Sequence, residues 1–270
     1  MVASRSARRS SGPFLILALT TLSGCDTVRA RFVARDGVDL YHRGNYAASA
    51  AKFEEAAQLD EHMPTFYLNM GTAQLAQFRN TGSRSPEGQK AAEGAIRAFE
   101  RYLALKPQDE KVKLSLVQTF VDTGRYDDAV AHFRPAVEKS PPDTAAMTTL
   151  AVIASKCGRF DDARAWHEKR IAAEPQNAEA PLALGVLIWG ELHAKPEMDK
   201  ERRKTLADAA LAALRRSIEL SPAAPNAYTY VNLVYREQAN DEATDDGKRV
   251  ALEEANKYYQ MALERQKHGN

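Results

Sequence analysis

Between residues 110 and 177 apolar positions recur at helical spacing in two short runs per block, each pair of runs broken by a glycine and closed by a proline. In residues 110–143 the first run holds Leu116 and Phe120, and the second holds Tyr126, Ala129, Phe133 and Ala136. Gly124 separates them and Pro141 ends the block. Residues 144–177 repeat the order with Leu150, Ala151, Gly158, Phe160, Ala163 and Pro175, and carry His167 and Arg170 where a large and a small apolar residue are expected. Each block predicts a pair of helices joined by a tight turn.

The same pattern extends to both sides. A block starting near Ala30 reads Gly37, Leu40, Gly44, Tyr46, Phe53 and Ala56. Three further blocks, 64–109, 178–224 and 225–270, are split by 12, 13 and 11 extra residues rich in Lys, Glu, Asp and Ala. These lengths are close to three helical turns. Both helices of a split block are therefore expected to run on past the usual turn, with polar tips such as Asn80 to Gly82 and Asp245 to Gly247; plain surface loops are the other reading. In the last block Tyr228, Val231, Tyr235, Ala255, Tyr259, Ala262 and Leu263 are the expected packing positions, with Glu253, Asn256, Lys257 and Gln260 as a polar outer face.

Pro107, Pro141 and Pro175 are 34 residues apart, the period of tetratricopeptide repeats, and the blocks resemble that family. The resemblance implies an all-α, right-handed superhelix (solenoid) of about six helix-turn-helix repeats over residues 31–270, in which each unit buries its apolar face on its neighbours. It also implies protein-protein interaction. In the family, set positions of each first helix line a concave groove. Here they read Leu68, Thr72 and Leu75, then Leu114, Gln118 and Val121, then Thr148 and Val152, then Leu182, Val186 and Trp189, and finally Leu233 and Arg236, with Tyr41 and Thr229 also in register. An aliphatic floor with interleaved polar groups suits a partner helix or peptide segment; some of these side chains could instead pack on neighbouring helices. The carboxylate clamp of the chaperone-binding members is not expected, because only Asn69 and Lys111 match it, while Ala34, Val38 and Ser115 replace its other members.

At the N-terminus Arg5, Arg8 and Arg9 precede the apolar run Phe14 to Leu19, and Leu22, Ser23, Gly24 and Cys25 follow. The run is too short to span a bilayer. The arrangement resembles the leader and lipobox of bacterial lipoproteins. That resemblance implies a signal peptide over 1–24, lipidation at Cys25, and a tether over 25–30 that holds the chain to a membrane facing the periplasm of the cell envelope. Asp26 holds lipoproteins of enteric bacteria in the inner membrane, but the resembling families act at the outer membrane, which is the location expected here. The lipobox, length and repeat count together are similar to the tetratricopeptide pilotins of type IV pilus secretins. Assembly of another outer-membrane complex and regulation of a cell-wall enzyme are further expectations of the same class.

Charge and chemistry change this picture little. The 37 basic and 36 acidic residues give a net charge of +1; without the three leader arginines, 34 stand against 36. Such a balance does not suggest a nucleic-acid surface, and no nucleic-acid partner is expected. With Cys25 taken by lipid, Cys157 is the one remaining cysteine, so no intrachain disulfide is expected; before Gly158 it reads as a small buried residue, with a reactive thiol as the other reading. The six histidines are scattered, and His167-Glu168 lacks the second histidine of a zinc motif. Neither a phosphate loop nor a nucleophile elbow is present. No catalytic residue, metal or cofactor is expected.

Overall fold

A computed structural model describes residues 22–268. Residues 1–21, which carry most of the expected leader, and the side chain of Cys25 lie outside the described part. Among the described residues there are twelve helices and no strand. They are α1 (Leu22–His42), α2 (Tyr46–Leu59), α3 (Pro64–Thr81), α4 (Pro86–Leu105), α5 (Glu110–Thr123) and α6 (Tyr126–Glu138), followed by α7 (Thr144–Lys156), α8 (Phe160–Ala173), α9 (Glu179–Ala194), α10 (Lys200–Leu220), α11 (Pro225–Asp241) and α12 (Asp245–His268). The fold is all-α, built from successive helix pairs. The chain divides into two compact units, Met1–Thr119 and Phe120–Asn270, with the division inside α5.

In the first unit α1 packs on α2, α2 on α3 and α3 on α4, with a further contact between α1 and α3. In the second unit each helix from α6 to α12 packs on the next, and α9 also packs on α11. The regular pairs turn on glycine. At Gly158 φ is +73°, and Arg159 N–H donates to the carbonyl of Ala154 while Gly158 N–H donates to that of Ser155. This double closure satisfies carbonyls that the helix end leaves without partners, and its left-handed residue suits glycine. Gly44 makes the same turn between α1 and α2.

Small residues set how close the paired helices come. A Cβ on Gly71 would lie 2.8 Å from the Phe99 ring, and one on Gly185 only 2.4 Å from the Leu214 side chain. Ser49, fully buried on α2, donates its hydroxyl to the carbonyl of Gly37 on α1 at 2.8 Å. Ala129, Ala163, Ala210 and Ala255 are fully buried in the second unit, at the equivalent register of α6, α8, α10 and α12.

The split blocks are long helix pairs, as the extra residues suggest. Helices α3 and α4 have 18 and 20 residues, α9 and α10 have 16 and 21, and α11 and α12 have 17 and 24, against 13 or 14 in α5 to α8. Their tips differ from expectation. Asn80 and Thr81 are the last residues of α3, and only Gly82 belongs to its tip, 82–85. Asp245 to Gly247 form no tip but open α12, because Thr244 Oγ1 accepts from the Gly247 N–H at 3.1 Å and acidic residues suit a helix start. Ser85 and Asp199 cap α4 and α10 in the same way, accepting from Gly88 and Arg202.

The last pair departs from its expected packing at one residue. Tyr259 is exposed, while its neighbour Tyr258 stacks on Tyr235, with ring centres 5.9 Å apart, and lies against the core of the second unit. The register of Ala255 and Ala262 is nevertheless correct, since both are buried. No described helix follows α12 to cover Tyr259, and Glu253, Asn256, Lys257 and Gln260 are all exposed around it.

Candidate protein-binding surface

The first helices of three successive pairs, α7, α9 and α11, shape an open cleft of about 500 Å³ in the second unit. Ala151 and Val152 come from α7, Leu182, Ala183, Val186 and Leu187 from α9, Asn226 and Tyr230 from α11, and His167 of α8 reaches the cleft from below. Lys156 and Glu179 put one charge of each sign on its rim. Helices α9 and α11 touch directly, so their apolar side chains line a continuous surface.

Val152, Val186 and Leu182 are brought together here from the expected groove set. They are not equivalent. Val152 is 47 % exposed, Val186 is half-buried against the unit's core, and Leu182 is 8 % exposed and belongs to that core while also lining the cleft. Leu182 thus lines the cleft with one edge while the rest of its side chain packs in the core, because α9 is enclosed by α8, α10 and α11.

Trp189 extends the apolar surface by one helical turn beyond Val186. Its ring stacks on His193 at 5.3 Å and meets Tyr230 edge-on at 5.4 Å. Part of its ring is thus already committed to neighbours, and it is a wall rather than a free anchor. Tyr230 lies outside the family's groove register and was not expected; the aromatic enrichment of α11 was its only signal in the sequence. Thr148 and Leu233 are half-buried, and the Thr148 hydroxyl donates to the carbonyl of Thr144. Arg236 is occupied by Asn232 and Asn256, which ties α11 to α12. Val121 is half-buried near the start of this unit.

The first unit holds the remaining expected positions. Thr72 is exposed and lines a hollow of about 190 Å³ with Val38, Tyr41, His42, Phe53 and Asn69. Leu68 is half-buried outside that hollow. Leu75 is half-buried and packs against Phe78, Ala91 and Ala92 of the α3–α4 pair. Leu114 and Gln118 are exposed, Leu114 at 68 %.

His167 is the unusual group at the cleft. It is 8 % exposed, and its Nδ1 atom has no hydrogen-bond partner. Burial, with a smaller contribution from the Arg170 charge, pushes its pKa down from 6.5 to about 4, so the ring is neutral at ordinary pH. It fills a place where an apolar ring would pack. Cys157 is half-buried, and burial pushes its thiol pKa up, which does not favour the reactive thiolate. Among the described residues no three His, Cys, Asp or Glu side chains converge to hold a metal ion, and no helix is long and apolar enough to cross a membrane.

A tetratricopeptide repeat family model matches residues 120–187, which cover the end of α5, the pairs through α8 and the first part of α9. No curated protein sequence matches the chain. Among solved structures, the chain is similar to the MamA protein at 21 % identity, over 73 % of this chain and 92 % of MamA, with a TM-score of 0.42. MamA residues 41 to the end from Desulfovibrio magneticus RS-1 align at 14 % identity over 87 % of this chain and 96 % of that one, with a TM-score of 0.31. YrrB, described as a TPR protein with an unusual peptide-binding site, aligns at 14 % identity over 87 % of this chain and 90 % of its own, with a TM-score of 0.32.

Proposed function

We propose that the chain is a lipid-anchored interaction scaffold of the bacterial cell envelope, which holds a helix or extended segment of a partner protein in the cleft formed by α7, α9 and α11. The observation that carries the reading is the cleft itself. Val152, Val186, Leu187 and Tyr230 give it an apolar floor, and the exposed Val152 stands at its edge. An apolar surface flanked by Lys156 and Glu179 suits an amphipathic segment with apolar anchors and polar sides.

The anchoring half of the proposal rests on the charged leader, the apolar run and the Leu22 to Cys25 motif, and places Cys25 as the lipidated residue at a membrane facing the periplasm, with the outer membrane as the expected one. A secretin-pilotin role is the finer form of this reading, since it joins the same anchor to the same type of repeat.

Each half has its own test. A photo-reactive amino acid at Val152 should yield one discrete adduct in intact envelopes, while the same probe at Arg164, on the following helix and outside the cleft, should yield none. Equal labelling at both positions would remove the cleft from consideration. Cys25→Ser should leave the leader uncleaved or release the protein from the lipid-modified pool; a variant with unchanged mass and unchanged membrane retention would remove the anchor.

A further inference from the structure

Two of the most exposed large apolar side chains among the described residues stand at the beginning of α1. Val28 is 53 % exposed and Phe32 64 %. Val28 and Phe32 are four residues apart and so share one face of the helix. Arg31 and Arg35 flank that face on one side and Arg29 on the other, and all three are exposed. None of the three has an ion-pair or hydrogen-bond partner among the described residues, whereas Arg125, Arg159, Arg170 and Arg203 all face carboxylates. The acidic residues Asp36 and Asp39 on the next turns close the patch.

The chemistry of this face selects its occupant. A second copy of the same face would set arginine against arginine, which is repulsive. Arginine stems that lie along apolar surface with their heads in a layer of negative charge, beside an aromatic ring and a valine, match the interfacial zone of an anionic bilayer. The patch begins three residues after Cys25. We propose that the first turns of α1 lie on an anionic phospholipid surface, with Val28 and Phe32 entering the headgroup boundary and Arg29, Arg31 and Arg35 contacting lipid phosphates. The proposal rests on the envelope-anchored reading above and adds to it a second membrane contact beside the lipid.

The test uses the full chain, the triple variant Arg29→Gln, Arg31→Gln, Arg35→Gln, and Phe32→Ser. All are sedimented with vesicles of phosphatidylcholine, with and without phosphatidylglycerol. Wild type should prefer the anionic vesicles. The triple variant should lose about fivefold of that preference per arginine, and high salt should have the same effect on wild type. Phe32→Ser should bind both vesicle types more weakly. These side chains are exposed, so the circular dichroism and melting of the variants should match wild type. A triple variant that partitions onto anionic vesicles like wild type overturns the proposal, as does a discrete protein adduct from a photo-probe at Phe32 with no arginine-dependent lipid preference. Intact mass at Cys25 separates the two readings: an unlipidated chain with the arginine-dependent preference keeps the surface and ends the anchor, and a lipidated chain indifferent to vesicle charge does the reverse.

Discussion

The guanidinium of Arg203, on α10, faces both carboxylate oxygens of Asp241, on α11, its Nε lying 2.8 Å from each. Arg203 is 1 % exposed, and its other nitrogens donate to the carbonyls of Leu192 and Lys195 and to Glu237. One side chain thus satisfies the C-terminal carbonyls of α9 and neutralises two carboxylates of α11, which fixes the long ends of two helix pairs to each other. Removing one member of a buried pair leaves the others without compensation. Arg203→Met should therefore destabilise the second unit by about 3 kcal/mol in urea or thermal unfolding. Asp241→Asn should cost less, because Asp241 is partly exposed and Glu237 remains. A melting curve for Arg203→Met that overlays wild type would show that the cluster is dispensable.

The helix-pair register makes a second prediction. Ala129 is fully buried on α6, and Gly185 would bring a Cβ to 2.4 Å from Leu214. Ala129→Leu and Gly185→Ala should each destabilise by about 1 to 3 kcal/mol through overpacking. Ala131→Leu on the exposed side of α6 is the control and should melt with wild type. Equal melting of all three variants would contradict the register.

These two cases show what the sequence makes legible. The small positions Gly71, Gly185, Ala129 and Ala163 repeat with the period of the chain, and the same physical demand, close approach of paired helices, produces each of them. Arg203 has no such signal. It lies in a Lys-rich and Arg-rich insert that reads as a solvated surface, and only the folding of α9 to α11 around it makes it a core residue. The lining of the α7, α9 and α11 cleft was partly legible for a similar reason. Register alone places Val152, Val186 and Leu182 on one side of their helices, but how far each is covered depends on neighbouring pairs: Val152 stays open, Leu182 is enclosed, and Leu75 is used by its own long pair. Tyr230 is added by α11 from outside the register.

His167 should make stability depend on pH. In the native protein the ring stays neutral down to about pH 4, whereas in the unfolded chain it takes a proton near its ordinary 6.5. Below pH 6.5 the unfolded state therefore binds more protons, and stability falls as pH drops through the interval from 6.5 to 4, then levels off with respect to this group. The slope is about 1.4 kcal/mol per pH unit, so the full interval is worth up to roughly 3 kcal/mol. His167→Phe keeps a ring at the same packing position and should lose that portion of the slope. The comparison of unfolding free energies for the two proteins between pH 7 and pH 4 isolates it; parallel curves would mean that the ring is not held neutral by burial.

The proposed binding surface is best probed where a change leaves the fold intact, and the two apolar ends of the cleft differ in this respect. Trp189 stacks on His193 and touches Tyr230, so Trp189→Asp removes intramolecular contacts as well as a binding surface and should lower the melting temperature. Val152 is 47 % exposed and lines the cleft from its edge. Val152→Asp should leave circular dichroism and melting unchanged, yet bring a charge into an apolar contact and weaken partner binding at least tenfold, since burying an unpaired carboxylate costs more than about 1.4 kcal/mol. The measurement is titration of purified wild type and variant with the protein recovered by the Val152 photo-probe, beside melting of the same samples. A folded Val152→Asp that binds as tightly as wild type would move the contact away from α7, and the exposed Leu114 on α5 would be the next surface to examine.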